Sequence, residues 1–160
     1  AYSRMERRSL ASHEVHPLAL MQTLLAERAE DINTRNLSVT VEMPDVVVKG
    51  DPEGLVQVLR NLLDNALKFT GKTPDPHIEI GGQEKEKTCI LWLRDNGIGF
   101  DMRYHDRIFE IFQRLHPVEE YPGTGIGMAI VQKAIERMGG RVWAESAPGK
   151  GATFFLEIPR

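Results

Sequence analysis

The stretch 57–70, QVLRNLLDNALKFT, constrains this chain more than any other. Val58, Leu59, Leu62, Leu63, Ala66, Leu67 and Phe69 recur at the spacing of a helix with a buried stripe. Asn61, Asn65 and Lys68 interrupt the stripe at intervals of four and three residues, which stacks them on one helix face. Two amides and an ammonium group are poor core material. They suit a polyphosphate and a metal ion, so the rest of the chain has to supply a matching pocket.

The 160 residues are enough for one domain with a single core. A formal net charge of −3 and a pI near 6.0 leave no basic footprint for nucleic acid. No run of about twenty apolar residues exists, so no membrane span or membrane contact is expected. The opening AYSRMERRSLASHE lacks the apolar stretch of a signal peptide and reads like the cut end of a longer protein. The single Cys89 excludes an internal disulfide, fits a reducing compartment and reads as a small apolar strand residue.

Residues 1–8 read as the last turns of a helix and 9–16 as a polar connector. Pro17 suits a first helical turn, and Leu18, Met21, Leu24 and Leu25 carry that helix to about Asn33. Leu37, Val39 and Val41 alternate as a strand that Pro44 stops, and 46–48 form a second short strand. Asp51 is a candidate N-cap, with Pro52 at the first position of the helix that runs to about Thr70. A strand begins at Ile78 and Ile80, 81–87 form a polar turn, and 89–94 (CILWLR) form a buried strand. A short helix is expected near 104–109 and a third long one over 127–138, ended by Gly139 and Gly140. Strands 141–146 and 152–158 close the chain. Strand pairs separated by helices predict an α/β fold, a two-layer sandwich of one mixed sheet with three helices on one face. The long irregular stretch 101–125 reads as a functional lid.

Four further stretches carry chemistry. Asp95-Asn96-Gly97-Ile98-Gly99-Phe100 follows the buried strand and can be a simple hairpin turn, but strand alternation does not resume after Gly99. An ionised Asp only accepts hydrogen bonds, so Asp95 would prefer adenine, with its amino group, to guanine, with its oxygen. Gly97 and Gly99 would let the backbone approach the base closely. Gly123-Thr124-Gly125-Ile126-Gly127 enters the third helix and reads either as a hinge or as an anion site of free backbone N–H groups. It is not the dinucleotide fingerprint, because Met128 and Ile130 stand where the third glycine belongs. Phe109 and Phe112 would plug the core while Arg114 faces solvent or a phosphate. In Gly149-Lys150-Gly151-Ala152-Thr153-Phe154, an ordinary turn by itself, the Thr153 hydroxyl could join the hydrogen bonds around an adenine.

Two decoys fall away. Gly71-Lys72-Thr73 lacks the first P-loop glycine, since position 66 is Ala inside a helix. Ser12-His13-Glu14 resembles a phospho-acceptor motif, yet the 48 residues from His13 to Asn61 already hold a helix and a strand pair and leave no room for a dimerising two-helix hairpin.

Taken together, NLLDNALKFT, DNGIGF, IFEIFQRL, GTGIGMAI and GKGATF resemble, in order, the boxes of the ATP-binding catalytic domain of sensor histidine kinases. This is the Bergerat-fold ATPase group shared with gyrase, heat-shock chaperones and mismatch-repair proteins. The resemblance covers 57–155 through its motifs and extends to the helix and strands of 15–56. The stretches AYSR and FQRLHPVEEYPGTGIG are similar to those of phytochrome-type and related light- or redox-sensing kinases.

The resemblance implies a mixed, mostly antiparallel five-stranded sheet and ATP with Mg²⁺ as ligands. Asn65 would hold Mg²⁺, Asn61 would lie near phosphates and metal, and Lys68 and Arg114 would meet phosphate. Phe69 would lie beside the adenine and Asp95 would read it. Gly97, Ile98, Gly99, Gly123, Thr124, Gly125, Ile126 and Gly127 would enclose the nucleotide, with Thr153 close by. Asn61, Lys68 and Arg114 are the expected catalytic residues. Residues 1–12 would end a dimerisation helix and linker, and 13–160 would form the catalytic domain. The implied partners are a His-bearing dimerisation domain and a response regulator, in a cytoplasmic setting. The full-length protein would be a homodimer and the isolated domain a monomer.

Hydrolysing relatives place a Glu four residues before the metal-binding Asn, where this chain has Asn61. An amide cannot take a proton. An imidazole acceptor brings its own lone pair and needs less help. Phosphate transfer to His is therefore expected over efficient hydrolysis. A nucleotide-binding module without kinase activity is the alternative, and a chaperone- or gyrase-type ATPase is a third reading.

Overall fold

The computed structural model describes residues 13–104, 106–109 and 127–160. Its central strands are β4 (His77–Glu84), β5 (Thr88–Asp95) and β7 (Ala152–Pro159). They are flanked by β2 (Ser38–Glu42), which runs parallel to β4, and by β6 (Arg141–Ser146), antiparallel to β7. The five-stranded order is β2-β4-β5-β7-β6, mixed and mostly antiparallel as expected. The long helices are α1 (Pro17–Glu27), α3 (Pro52–Phe69) and α4 (Gly127–Arg137), with a short α2 (Ala29–Thr34).

One face of the sheet carries Ile78, Ile80, Leu91, Leu93, Phe154 and Leu156 into a single core with the helices. Leu55, Val58, Leu59, Leu62, Leu63, Ala66 and Leu67 are the buried stripe of α3, at the spacing its sequence shows. Burying each such Leu is worth roughly 1.5–3 kcal/mol against leaving it exposed. Pro52 starts α3, and the buried Asp51 carboxylate accepts the Glu53 N–H at 3.3 Å as its cap. At the far end of the core, Gly140 N–H donates to the Ile135 carbonyl at 3.0 Å and closes α4. On the opposite face, Trp143 stacks on Phe155 with ring centroids 5.2 Å apart, and the Arg141 guanidinium lies 4.4 Å over Trp143.

Five local expectations change. His13–Val15 is a strand, β1, rather than part of a polar connector; it pairs antiparallel with β3 (Val48–Gly50) in a separate two-stranded sheet. A strand of three residues is too short to show alternation, and the expected strand 46–48 shifts to its actual pairing partner. The first helix does not run unbroken to Asn33. It breaks at Arg28 (φ −104°, ψ 8°), giving four α-helices among the described residues instead of three. The polar turn 81–87 shrinks to the end of a hairpin, because β4 continues through Gly81 and Gly82 to Glu84. Trp92 from β5 lies over Gly81, 2.5 Å from where a Cβ would stand, so the glycine makes room for an indole within a strand. In place of the short helix expected near 104–109 there are two 3₁₀ turns, Met102–Tyr104 and Asp106–Phe109. Residues 1–12, expected to hold the helix end and linker, lie outside the described residues.

Candidate nucleotide site

Asp95 ends β5 on the core-facing side and is only 4% exposed. Its Oδ1 accepts the Gly97 N–H at 2.8 Å. Burial pushes the Asp95 carboxyl up to about 6, against the pull of backbone N–H groups from Gly97 and Ala152. A carboxylate held this way needs another donor to offset its desolvation, and an adenine amino group is one.

The turn after Asp95 is pressed against two other parts of the chain. Ile98 N–H donates to the Phe69 carbonyl at 3.2 Å, capping an open carbonyl of α3. A Cβ on Gly97 would stand 2.3 Å from that same carbonyl oxygen. Gly99 has φ +66°, and a Cβ there would meet the Ala147 carbonyl at 2.2 Å. The Ile98 carbonyl accepts Gly149 N–H at 2.7 Å. The DNGIGF turn is therefore not a hairpin: it joins the end of α3 to the turn before β7.

Ser146 holds that junction and Asn96 ties the turn to the start of β4; the sequence reading singles out neither. Ser146 Oγ accepts the Phe100 N–H at 2.8 Å and donates to the Gly151 carbonyl at 2.6 Å. The Asn96 side chain accepts the His77 N–H at 2.8 Å and donates to the Asp75 carbonyl at 3.0 Å. A Ser two residues before a Pro-Gly turn is the one visible signal for the first. The second lies inside a motif whose carboxylate and glycines draw the reading instead.

On α3, Asn61, Asn65, Lys68 and Phe69 are all half-buried. Asn61 Nδ2 is buried with no hydrogen-bond partner among the described residues. An orphaned donor of this kind normally has a partner, and a phosphate oxygen meets that need. Asn65 Nδ2 lies 4.0 Å from the Met128 sulfur, a weak acceptor, and its Oδ1 is an acceptor by chemistry. A hard cation such as Mg²⁺ takes oxygen ligands and keeps several waters, so a single amide oxygen fits it. Among the described residues no group of three or more His, Cys, Asp or Glu could cage a metal by itself. Gly127, the first residue of α4, lies against Asn61, with its Cβ position 3.4 Å from Asn61 Oδ1.

Thr153 is a correction. In the β5–β7 ladder Asp95 pairs with Ala152 and Arg94 with Thr153. Alternation then puts Thr153 on the sheet face away from Asp95. Its hydroxyl accepts Arg94 Nε at 3.1 Å. The residue beside the carboxylate is Ala152. Within 101–125, Phe109 is buried against Phe154 with centroids 6.5 Å apart. Phe112, Arg114, Gly123, Thr124, Gly125 and Ile126 lie outside the described residues. No described helix is long and apolar enough to cross a membrane.

Residues 50–160 match the family described as histidine kinase-, DNA gyrase B- and HSP90-like ATPase. The chain is 39% identical over 159 residues to cyanobacterial phytochrome A of Nostoc sp., covering 99% of this chain and 20% of that protein. It is 47% identical over 112 residues to the phytochrome-like protein Cph1 of Synechocystis sp., covering 70% of this chain and 15% of that one. The chain thus spans a fifth or less of these relatives. The solved catalytic domain of the histidine kinase ThkA, in a nucleotide-free form, superposes with a TM-score of 0.81 at 26% identity, covering 92% of this chain and 97% of that one. The chain belongs to the histidine kinase-, DNA gyrase B- and HSP90-like ATPase family, as an ATP-binding catalytic domain of the sensor histidine kinase type.

Proposed function

We propose that this domain binds Mg²⁺-ATP between α3, the DNGIGF turn and residues 101–125, and passes the γ-phosphate to a histidine on a dimerisation domain of its parent protein. The observation that carries the reading is the buried Asp95 carboxylate, bonded to backbone N–H and joined through Ile98 to the end of the amide-bearing helix α3. Asp95 accepts the base amino group. The orphaned Asn61 Nδ2 donates to phosphate, and Lys68 and Arg114 add positive charge there. Asn65 Oδ1 would hold the Mg²⁺, which when bound supplies charge neutralisation on the phosphate oxygens. Gly127, the first residue of α4, offers a backbone N–H to phosphate, and Gly123 and Gly125 are expected to add theirs. Positioning and electrostatics carry such a transfer, with little covalent work for the protein.

Asn61 decides the direction. An amide at this place cannot activate water, so the phosphate goes to an acceptor that is already nucleophilic. In this reading residues 1–12 end the dimerisation helix and linker, the parent protein is a cytoplasmic homodimer, and a response regulator takes the phosphate onward. The test mixes this chain with a His-bearing dimerisation domain and γ-labelled ATP. Acid-labile, base-stable label on the dimerisation domain, lost in Asn65→Ala, is the expected result. Label released only as free phosphate would contradict the reading.

A further inference from the structure

The break between α1 and α2 has no local cause. Residues 18–34 contain neither Gly nor Pro, and Arg28 itself is a good helix former. What the break achieves is placement. Arg28 reaches across to α3 and grips Asp64 with both ends of its fork, Nε to Oδ1 at 2.9 Å and Nη2 to Oδ2 at 3.1 Å. Beside it Glu27 faces Arg60 at 3.6 Å.

Asp64 is the one charged residue of NLLDNALKFT that the nucleotide reading leaves without a role. It adjoins Asn65, stands one turn after Asn61 and one turn before Lys68. At that spacing a carboxylate lies on the flank of the phosphate face, within reach of a lysine four residues on. A bare negative charge there would repel a polyphosphate and compete for Lys68.

We propose that Arg28 is a positioning residue for the nucleotide site: it neutralises Asp64 and draws its carboxylate away from the phosphate side of α3. The inference rests on the nucleotide reading above. A purely structural clamp between helices would serve any ligand alike, whereas a charge-balancing one acts on phosphate.

The test titrates this chain, in Mg²⁺ buffer, with a non-hydrolysable ATP analogue and with adenosine. Arg28→Ala should weaken the analogue about three- to tenfold and adenosine less than about twofold. Adding Asp64→Asn to Arg28→Ala should restore analogue binding to within about twofold of wild type. Asp64→Asn alone should bind the analogue at least as well as wild type. Equal losses for both ligands, or no recovery in the double variant, would overturn the inference while leaving the nucleotide reading standing. Failure of wild type to bind the analogue would overturn both. Thermal unfolding of each variant separates misfolding from these outcomes, because the double variant lacks the same ion pair and must still recover.

Discussion

The backbone N–H of Ile98 donates to the carbonyl of Phe69 at 3.2 Å, so the turn that carries Asp95 is fastened to the last turn of α3. The Asp95 carboxylate and the amide face of α3 are thereby held at one distance. Gly97 makes the contact possible, since any Cβ there would stand 2.3 Å from the Phe69 carbonyl oxygen. Gly97→Ala should therefore cost about 1–3 kcal/mol of stability by forcing that backbone apart. It should also weaken ATP binding at least about tenfold, by shifting Asp95 against α3. Urea unfolding with parallel ATP titration checks both; a variant with wild-type values in both would show that the contact is dispensable.

Asp95 makes the site sensitive to acid. Its carboxyl sits near 6 in the folded chain, raised by burial, against an ordinary 3.8. Between these values the folded chain holds more protons than the unfolded one, so stability falls as pH rises from about 4 to about 6. The loss is on the order of 3 kcal/mol at most. Nucleotide works the other way. The base amino group needs the ionised carboxylate, so ATP affinity should be flat above about pH 7 and fall as pH drops through about 6. Calorimetric titrations from about pH 5 to about pH 8, with heat of proton release, measure this.

The β5–β7 register separates two neighbouring residues by function. Asp95→Asn should abolish ATP binding, because the amide can present its NH₂ to the adenine amino group. Thr153→Val removes only a bond to Arg94 on the other face of the sheet, so ATP affinity should change less than about twofold. Fluorescence titration of both variants decides whether the hydroxyl belongs to the site.

Asn61 is buried at its nitrogen and lies beside the first residue of α4. Asn61→Glu places a proton acceptor there, and phosphate release to water should rise at the expense of transfer to a His-bearing domain. An assay counting free and protein-bound phosphate together checks the exchange. Unchanged release would leave the base argument without support.

Much of this was legible because the relevant residues are badly suited to anything else. Asn61, Asn65 and Lys68 spoil a helix stripe, and Asp95 stands at the end of an apolar strand; such misfits advertise a ligand. Helix α3 was readable to its cap because Asp51-Pro52 signals a start locally. Long-range pairing was not readable. Whether residue 152 or 153 faces Asp95 depends on strand register, and a slip of one residue reverses the face. The β1–β3 pair is too short for periodicity, and the break at Arg28 comes with a tertiary ion pair to Asp64 and without a local Gly or Pro. Gly81-Gly82 looks like a turn by composition but lies within a strand, where Trp92 occupies the space over Gly81.

The most direct test of the account is a titration of the wild-type chain with ATP and with GTP at neutral pH. A buried carboxylate that only accepts hydrogen bonds should favour adenine by roughly tenfold or more, from about 1.5–3 kcal/mol for a hydrogen bond to a charged group. Equal affinity for GTP, or no binding of either nucleotide, would contradict the assignment of Asp95 and with it the site built around α3.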